Sequence, residues 1–441
     1  MVKIAFHTLG CKLNFAESSH LLRKFKDNGF EEVSFNEKAD VYVINTCTVT
    51  AVAEKKCKYA IRRAAKLNPN AIIAVIGCFS QINPEEIAKI KGVNLILGNE
   101  DKNMLFDKVV NMYGKYLTEN NSCEKQPLRD VSENCVSDIS HLKSFSPSVS
   151  SDDRTRGFLK VQDGCDYFCS YCEIPFARGR SRSCTVNQAV QYVRILEQEG
   201  KKETVLTGVN IGDFGKGTTE NFFDLIKALD LQTTMQRFRI SSIEPDLLSK
   251  QIIDFCASSR SFMPHFHIPL QSGSNTVLKL MNRHYTREDF ADKVLYIRSV
   301  MPHAFIACDV MTGFNGESEK EFQLCVDFLN SLPIAFIHVF PYSDRPDTKA
   351  DKIPGKVPVH VRKQRSDVLQ QLSKKKKRDF YESNIGYTGK ILWEETSKNG
   401  IMYGFSDNYL RVSRPFDDKL MNSITTEKLS DLSPESDIFI L

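Results

Sequence analysis

Apolar runs of strand length alternate with segments of helical period in two separate stretches of this chain, and each stretch places cysteines directly behind its strands. Such alternation winds a parallel sheet with helices, because parallel strands need a long crossover between them. In the N-terminal quarter, strands are predicted at Val2 to His7, Asp40 to Ile44, Ala71 to Ile76 and Val93 to Leu97. Helices are predicted at Phe15 to Asn28, Ala51 to Leu67, Pro84 to Lys91 and Lys102 to Met112. Cys11, Cys47 and Cys78 follow three of these strands, in Thr8-Leu-Gly-Cys-Lys-Leu-Asn, Asn45-Thr-Cys-Thr-Val-Thr and Gly77-Cys-Phe-Ser-Gln. Ligands of open α/β sheets gather outside the carboxyl ends of the strands, so three cysteines distant in sequence are expected at one edge. A single buried cysteine often only packs there; three in equivalent places point to a shared ligand.

The second stretch has predicted strands at Gly157 to Gln162, Thr204 to Thr207, Gln236 to Ser241, His265 to Leu270, Ala304 to Val310 and Ile334 to Phe340. Six strand-helix units are too few to close an eight-stranded barrel and make an open, partial one with its site at the carboxyl strand ends. The loop after its first strand reads Gly164-Cys-Asp-Tyr-Phe-Cys-Ser-Tyr-Cys-Glu. Cys165, Cys169 and Cys172 can each take one iron of a cubane [4Fe-4S] cluster, whereas structural zinc is usually closed by four Cys or His ligands. A fourth iron would stay open for substrate.

Thirteen cysteines, an odd number, fit a reducing compartment better than a disulfide framework. With no apolar run long enough to cross a bilayer and a strand-like N-terminus unlike a signal peptide, the expectation is a cytoplasmic enzyme without a membrane partner. Nothing signals an obligate oligomer, so a monomer is expected. Residues 113–153, holding Cys123 and Cys135 without a partner pattern, read as a linker or surface excursion between domains at 1–112 and 154–378. From 379 to 441 come short strands at Gly389 to Thr396, Gly400 to Ser406, Tyr409 to Val412 and Asp437 to Leu441, spaced as in a small all-β barrel.

Taken together, these motifs resemble the methylthiotransferase family of radical S-adenosylmethionine (SAM) enzymes along the whole chain. The resemblance implies an N-terminal sheet domain with an auxiliary [4Fe-4S] cluster on Cys11, Cys47 and Cys78. It implies a central partial (βα)6 barrel with the SAM-binding [4Fe-4S] cluster on Cys165, Cys169 and Cys172, and a C-terminal five-stranded, RNA-binding TRAM-like domain. SAM would serve twice, as methyl donor and as source of a 5′-deoxyadenosyl radical, with electrons from a low-potential donor. Thr8-Leu-Gly-Cys-Lys-Leu-Asn and Ile174-Pro-Phe-Ala-Arg-Gly-Arg-Ser-Arg-Ser look like the branch acting on threonylcarbamoyladenosine, at position 37 of tRNA. Related branches act on isopentenyladenosine in tRNA or on an aspartate of a ribosomal protein. Leu13 and Asn315 stand where the family usually has Val and Pro. A reading of another class, a non-catalytic iron-sulfur protein binding RNA as scaffold or electron carrier, fits less well, since a carrier normally closes every iron with protein thiolates.

Gly208 and Asn210 in Thr207-Gly-Val-Asn-Ile-Gly, Ser241 and Glu244 in Ser241-Ser-Ile-Glu-Pro, and Gln271 in His267-Ile-Pro-Leu-Gln-Ser-Gly are candidates for cradling SAM. His267 reads rather as a satisfied strand residue. Cys57, Cys184, Cys256, Cys308 and Cys325 read as packing residues, Cys308 having the best remaining claim to the barrel cavity. Lys356 to Arg378 carries nine basic residues against one acid and ends in Lys374, Lys375, Lys376, Lys377 and Arg378, a candidate phosphate-binding face. The helix Ala51 to Leu67 adds further cations beside the Cys47 loop. In the C-terminal domain Tyr387, Trp393, Phe405 and Tyr409 are candidates to stack on bases, and Lys390, Arg411 and Arg414 to meet phosphates, although half of such aromatics ordinarily form the core.

Overall fold

The computed structural model describes residues 1–119, 133–142, 144–145, 147–150, 155–346 and 348–441. Cys123 lies outside the described residues. The chain divides into two compact units, Met1–Ser150 with Asp163–Asp166 and Cys172–Arg180, and Ser151–Gln162 with Tyr167–Tyr171 and Ser181–Leu441.

The first unit is built on a parallel sheet whose strands run in the order Glu31–Glu32, Lys3–Thr8, Val41–Thr46, Ile72–Gly77, Leu95–Leu97 and Glu133–Cys135. Val41–Thr46 and Ile72–Gly77 are buried throughout, as continuous apolar strands covered on both faces should be. Helix Ala51–Leu67 turns Cys57, Ala60, Ile61 and Ala64 into the core on one face; Leu21, Leu22 and Phe25 of helix Lys12–Asp27 fill the other.

Two expectations fail in the segment read as a linker. Helix Leu105–Glu119 runs past residue 112, and Glu133–Cys135 adds the sheet's last strand, held through Leu95 to Leu97. A three-residue polar strand at a sheet edge has no periodicity to announce it, since its contribution is backbone hydrogen bonding.

In the second unit the parallel strands Arg156–Lys160, Glu203–Thr207 and Arg237–Ile240 stand side by side, as do His265–His267, Phe305–Thr312 and Phe336–Pro341. Isolated bridges Phe238 to Phe262 and Ser242 to His267 continue one set into the other. Sequential order with a helix after each strand is the open partial barrel expected. Capping boxes start three helices, at Thr185 with Gln188, Asn221 with Asp224 and Thr286 with Asp289.

Helix Val359–Glu382 leads into a curled sheet ordered Ile424–Lys428, Thr388–Lys398, Ile401–Ser406, Arg411–Pro415, Phe439–Ile440 and Asp431–Leu432. It has six strands where the sequence pattern gave four and the resemblance five. Ile424–Lys428 escapes the pattern because only its backbone is committed, pairing with Thr388 to Leu392, while its side chains are half or fully exposed.

The joint between barrel and curled sheet is ionic and buried. Glu203, 0% exposed, meets Arg239 at 3.0 Å and Arg237 at 2.9 Å. These guanidiniums also donate to the carbonyls of Phe405, Ser406 and Asp407.

Candidate active site

Lys3–Thr8, Val41–Thr46 and Ile72–Gly77 are neighbours in the first unit's sheet, so the loops bearing Cys11, Cys47 and Cys78 leave one edge side by side. Cys11 sits before the first turn of helix Lys12–Asp27, Cys47 directly follows its strand, and Cys78 opens the helix Cys78–Ile82. Two glycines make the approach possible. A Cβ at Gly10 (φ +110°) would stand 2.9 Å from Cys47 Cβ, and one at Gly77 (φ +106°) 2.5 Å from Asn45 Oδ1 and 2.6 Å from the Thr46 carbonyl. Gly77→Ala is expected to cost about 2–3 kcal/mol, combining left-handed strain with a backbone collision. A thermal melt of the variant checks this.

The thiols are close enough to repel one another as thiolates. Burial first, then the charges of Cys78 and Cys11, push the Cys47 thiol up to about 12, although the Val49 N–H donates to its Sγ at 3.5 Å. Asn99 Nδ2 donates to Cys78 Sγ at 3.7 Å. A thiol like that of Cys47 stays protonated alone and is ionised by a metal. Among the described residues no three Cys, His, Asp or Glu side chains close on the point a single metal ion would occupy. A cubane takes one thiolate per iron and so needs a wider spread than a single ion. Donors aimed at sulfur, glycine cradles and mutually coupled thiols suit that group.

Residues 163–166 and 172–180 belong to this unit, and they bring in a buried charge network. Arg178, 1% exposed, donates to Asp163 at 2.9 Å, Glu17 at 3.1 Å and Asn14 at 2.6 Å, while Lys102 reaches Glu17 at 2.5 Å. Asn14 comes from the Cys11 motif and Arg178 from Ile174-Pro-Phe-Ala-Arg. Two stretches singled out separately in the sequence therefore touch, and both Cys11 and Cys78 feel the guanidinium. Cys165 is held by its N–H on the Gly179 carbonyl at 3.1 Å; Glu173, next to Cys172, accepts from Thr48 at 2.8 Å.

Cys169 belongs to the second unit. Arg283 Nη1 lies 3.1 Å from its Sγ, and the same guanidinium pairs with Glu244. Burial lifts the Glu244 carboxyl to about 7 against the pull of Arg283. Tyr167 anchors the loop through its hydroxyl to Asp246 at 2.5 Å, and Ser170 through its N–H to the Met281 carbonyl. Sequence reading missed Arg283 and Asp246; Asn282-Arg-His-Tyr carries no periodic or motif signal, and the contact spans over a hundred positions.

The SAM candidates follow successive barrel strands at their carboxyl ends. A Cβ at Gly208 would stand 2.9 Å from Gln162 Oε1, which also accepts from the Asn210 N–H at 2.8 Å. Asn210 Nδ2 donates to Asp213, but its Oδ1 and Ser241 Oγ are buried without a partner among the described residues. These open atoms and the glycine approach fit a polar nucleotide ligand. Gln271 contributes its backbone, standing at φ +67° with its N–H on the Asp309 carbonyl. His267 Nε2 lies 2.9 Å from Asp309 Oδ1, and its ring stacks on His338. Cys308 is fully buried, on the opposite side of its strand from half-exposed Asp309 and near the helix bearing Lys376, so it packs, as the other cysteines outside the two motifs are expected to, and does not reach the cavity.

Several nucleic-acid candidates are corrected. Trp393, 0% exposed, is in the core of the curled sheet, its Nε1 on Thr425, and cannot stack on a base. Lys376 lies on the inward stripe with Leu369, Ser373 and Phe380 and binds the carbonyls of Asn330 and Leu332. Lys377 pairs with Asp437, Arg378 with Glu382 and Arg411 with Glu394. Phe405 and Tyr409 stack on each other, and Tyr387 bonds Asp407. Arg414 lies over Trp393. Lys374, Lys375 and Lys390 remain exposed.

A partial barrel with a CxxxCxxC loop after its first strand defines a radical SAM protein, and residues 159–329 match the model of the Radical SAM superfamily. Residues 3–98 match the model described as Uncharacterized protein family UPF0004. The chain is 39% identical over 416 residues to the threonylcarbamoyladenosine tRNA methylthiotransferase MtaB of Aquifex aeolicus, covering 94% of this chain and 97% of that one. It is 38% identical to the Bacillus subtilis protein of the same name (93% and 90% covered), and 31% identical to a tRNA-2-methylthio-N(6)-dimethylallyladenosine synthase of Pelotomaculum thermopropionicum (92% and 90%). The radical SAM methyltransferase TsrM of Kitasatospora setae, solved with tryptophan and a SAM analogue, shares the fold at TM-score 0.54 and 15% identity, over 77% of this chain and 73% of that one. This chain belongs to the methylthiotransferase family of radical SAM enzymes.

Proposed function

We propose that this protein is a tRNA methylthiotransferase that places a methylthio group on carbon 2 of N6-threonylcarbamoyladenosine at position 37. The observation that carries the reading is the set of three cysteine loops at neighbouring strand ends, in a chain that also holds the radical SAM loop. Carbon 2 of adenine has no proton that a side chain can ionise, so two [4Fe-4S] clusters and SAM supply the radical and sulfur chemistry when bound.

The chain's residues hold and orient these groups. Cys11, Cys47 and Cys78 hold the auxiliary cluster, and Cys165, Cys169 and Cys172 the other. Arg283 steadies the charge on Cys169, and Arg178 that on Cys11 and Cys78. The open Oδ1 of Asn210 and Oγ of Ser241 would accept from or bond to SAM's polar groups, Gly208 would let it approach the backbone, and Glu244 and Gln271 border the same edge. Lys374, Lys375 and Lys390 remain candidates for phosphate contact. No helix among the described residues is long and apolar enough to cross a membrane. The working form is a cytoplasmic monomer fed by a low-potential electron donor.

The dimethylallyladenosine relative is less similar than the two threonylcarbamoyladenosine relatives, which sets the choice of nucleoside. Mass spectrometry of nucleosides from cells lacking the protein tests it: the methylthio derivative of threonylcarbamoyladenosine is expected to vanish while that of isopentenyladenosine persists. The reverse pattern overturns the choice. Anaerobic protein with about eight irons per chain that releases no 5′-deoxyadenosine from SAM and reductant would leave only a scaffold.

A further inference from the structure

We infer that the solvent face of helix Ala51–Leu67 is a docking surface for the phosphodiester backbone of the RNA substrate, an inference that rests on the tRNA reading above. Burying Cys57, Ala60, Ile61 and Ala64 turns Lys55, Lys56, Tyr59, Arg62, Arg63 and Lys66 outward, at the three- and four-residue spacing of one helical stripe. From Lys55 to Lys66 the stripe is about 16 Å long. None of its five cations has an acidic partner among the described residues. A merely solvated helix face normally interleaves acids, since like charges one turn apart destabilise a helix. Here the one acid, Glu54, accepts instead from Thr48.

Two further observations point to a ligand. Beside the helix lies a groove of about 650 Å³, where Lys89 and Lys91 face Lys58, Arg62 and Lys66. Its only acid, Glu86, is bonded to Lys58. Within the stripe Tyr59 is 65% exposed, and near the start of the same helix Val52 is 61% exposed, apolar surface that a soluble helix gains nothing by showing. Cations interleaved with an exposed aromatic ring are the surface that tracks a nucleic-acid backbone and stacks an unpaired base. The helix starts three residues beyond Thr48 and the Cys47 loop, so a strand lying along it leads towards the cysteine edge of the same unit. The basic run from Lys374 to Arg378, by contrast, has three of its five charges engaged in bonds within the protein.

Fluorescence anisotropy of the full-length protein with an unmodified tRNA transcript, across a salt series, tests the surface. The triple variant Lys56→Gln, Arg63→Gln, Lys66→Gln is expected to bind about 10–100-fold more weakly near 150 mM salt, with the slope of log K against log salt reduced by about 2–3. Lys56→Arg with Lys66→Arg should keep both. Should the triple variant fail to fold, Lys89→Gln with Lys91→Gln on the facing bank gives the same readout with a smaller loss. A folded triple variant with unchanged affinity and slope overturns the surface alone. Unaltered protein that ignores tRNA overturns the tRNA reading and the surface with it. Binding to vesicles of anionic phospholipid without binding to tRNA does the same.

Discussion

Glu203→Ala is expected to remove about 3–5 kcal/mol of stability, because it leaves buried guanidiniums without their counter-charge. Glu203 is fully buried among Arg239, Arg237 and Arg156, and two of these also tie the barrel to the carbonyls of Phe405, Ser406 and Asp407. The loss is therefore expected in the unit that contains the curled sheet, as a fall of about 6–15 °C in its melting transition. The pH dependence gives a second readout. Burial pushes the Glu203 carboxyl up, but the attraction of Arg239, Arg237 and Arg156 outweighs it and holds the group at about 2. Its unfolded value is about 4.3. The folded value is the lower one, so the contribution is complete above about pH 4.3 and is lost as pH falls towards about 2. The Glu203→Gln variant should lose that part of the acid transition. Equal acid sensitivity in variant and parent would show that the carboxylate is not the ion that locks the joint.

The contrast between what the sequence discloses and what it hides follows from this same kind of group. Apolar periodicity revealed both α/β stretches, and helix Ala51–Leu67 falls where the pattern puts it. Crossover connections make sequential parallel strands neighbours, which is why the positions of Cys11, Cys47 and Cys78 behind their strands were enough to predict a shared edge. Buried arginines are another matter. Arg178, Arg237 and Arg283 look in sequence like surface charges, and each is placed by partners far along the chain. Lys376 was legible in principle, since counting in steps of three and four from Leu369 and Ser373 to Phe380 puts it on the inward stripe. Its four basic neighbours give the segment a charge pattern that masks this period. Trp393 sits in a run, Ile391-Leu-Trp, where three successive apolar residues leave the strand's inward face undecided, and the pairing of Thr388–Lys398 becomes irregular beyond Trp393.

Replacing Cys11 by alanine is expected to abolish the methylthiolated nucleoside while SAM cleavage to 5′-deoxyadenosine continues. Of the three thiols at the first unit's edge, Cys11 is the one whose loss the fold tolerates. It is exposed, while Cys47 and Cys78 are buried. It precedes its helix without a side-chain cap, and its contact to Asn14 is long, at 3.9 Å. Asn14 remains tied to Arg178 and to the carbonyls of Leu9 and Thr46 without it. Without the cluster, a surface substitution of this kind changes stability by about 0.5 kcal/mol, so melts of the iron-free variant and parent separate lost activity from unfolding. Iron should fall from about eight to about four per chain, since a cubane left with two thiolates is poorly held. Retained cleavage is the informative arm. The CxxxCxxC loop carries its own three thiolates, and Arg283 and Glu244 beside Cys169, with Asn210, stand on loops of the second unit, which does not include Cys11. A variant that melts like its parent yet loses cleavage together with methylthiolation would mean that the two sets of cysteines do not serve separate centres.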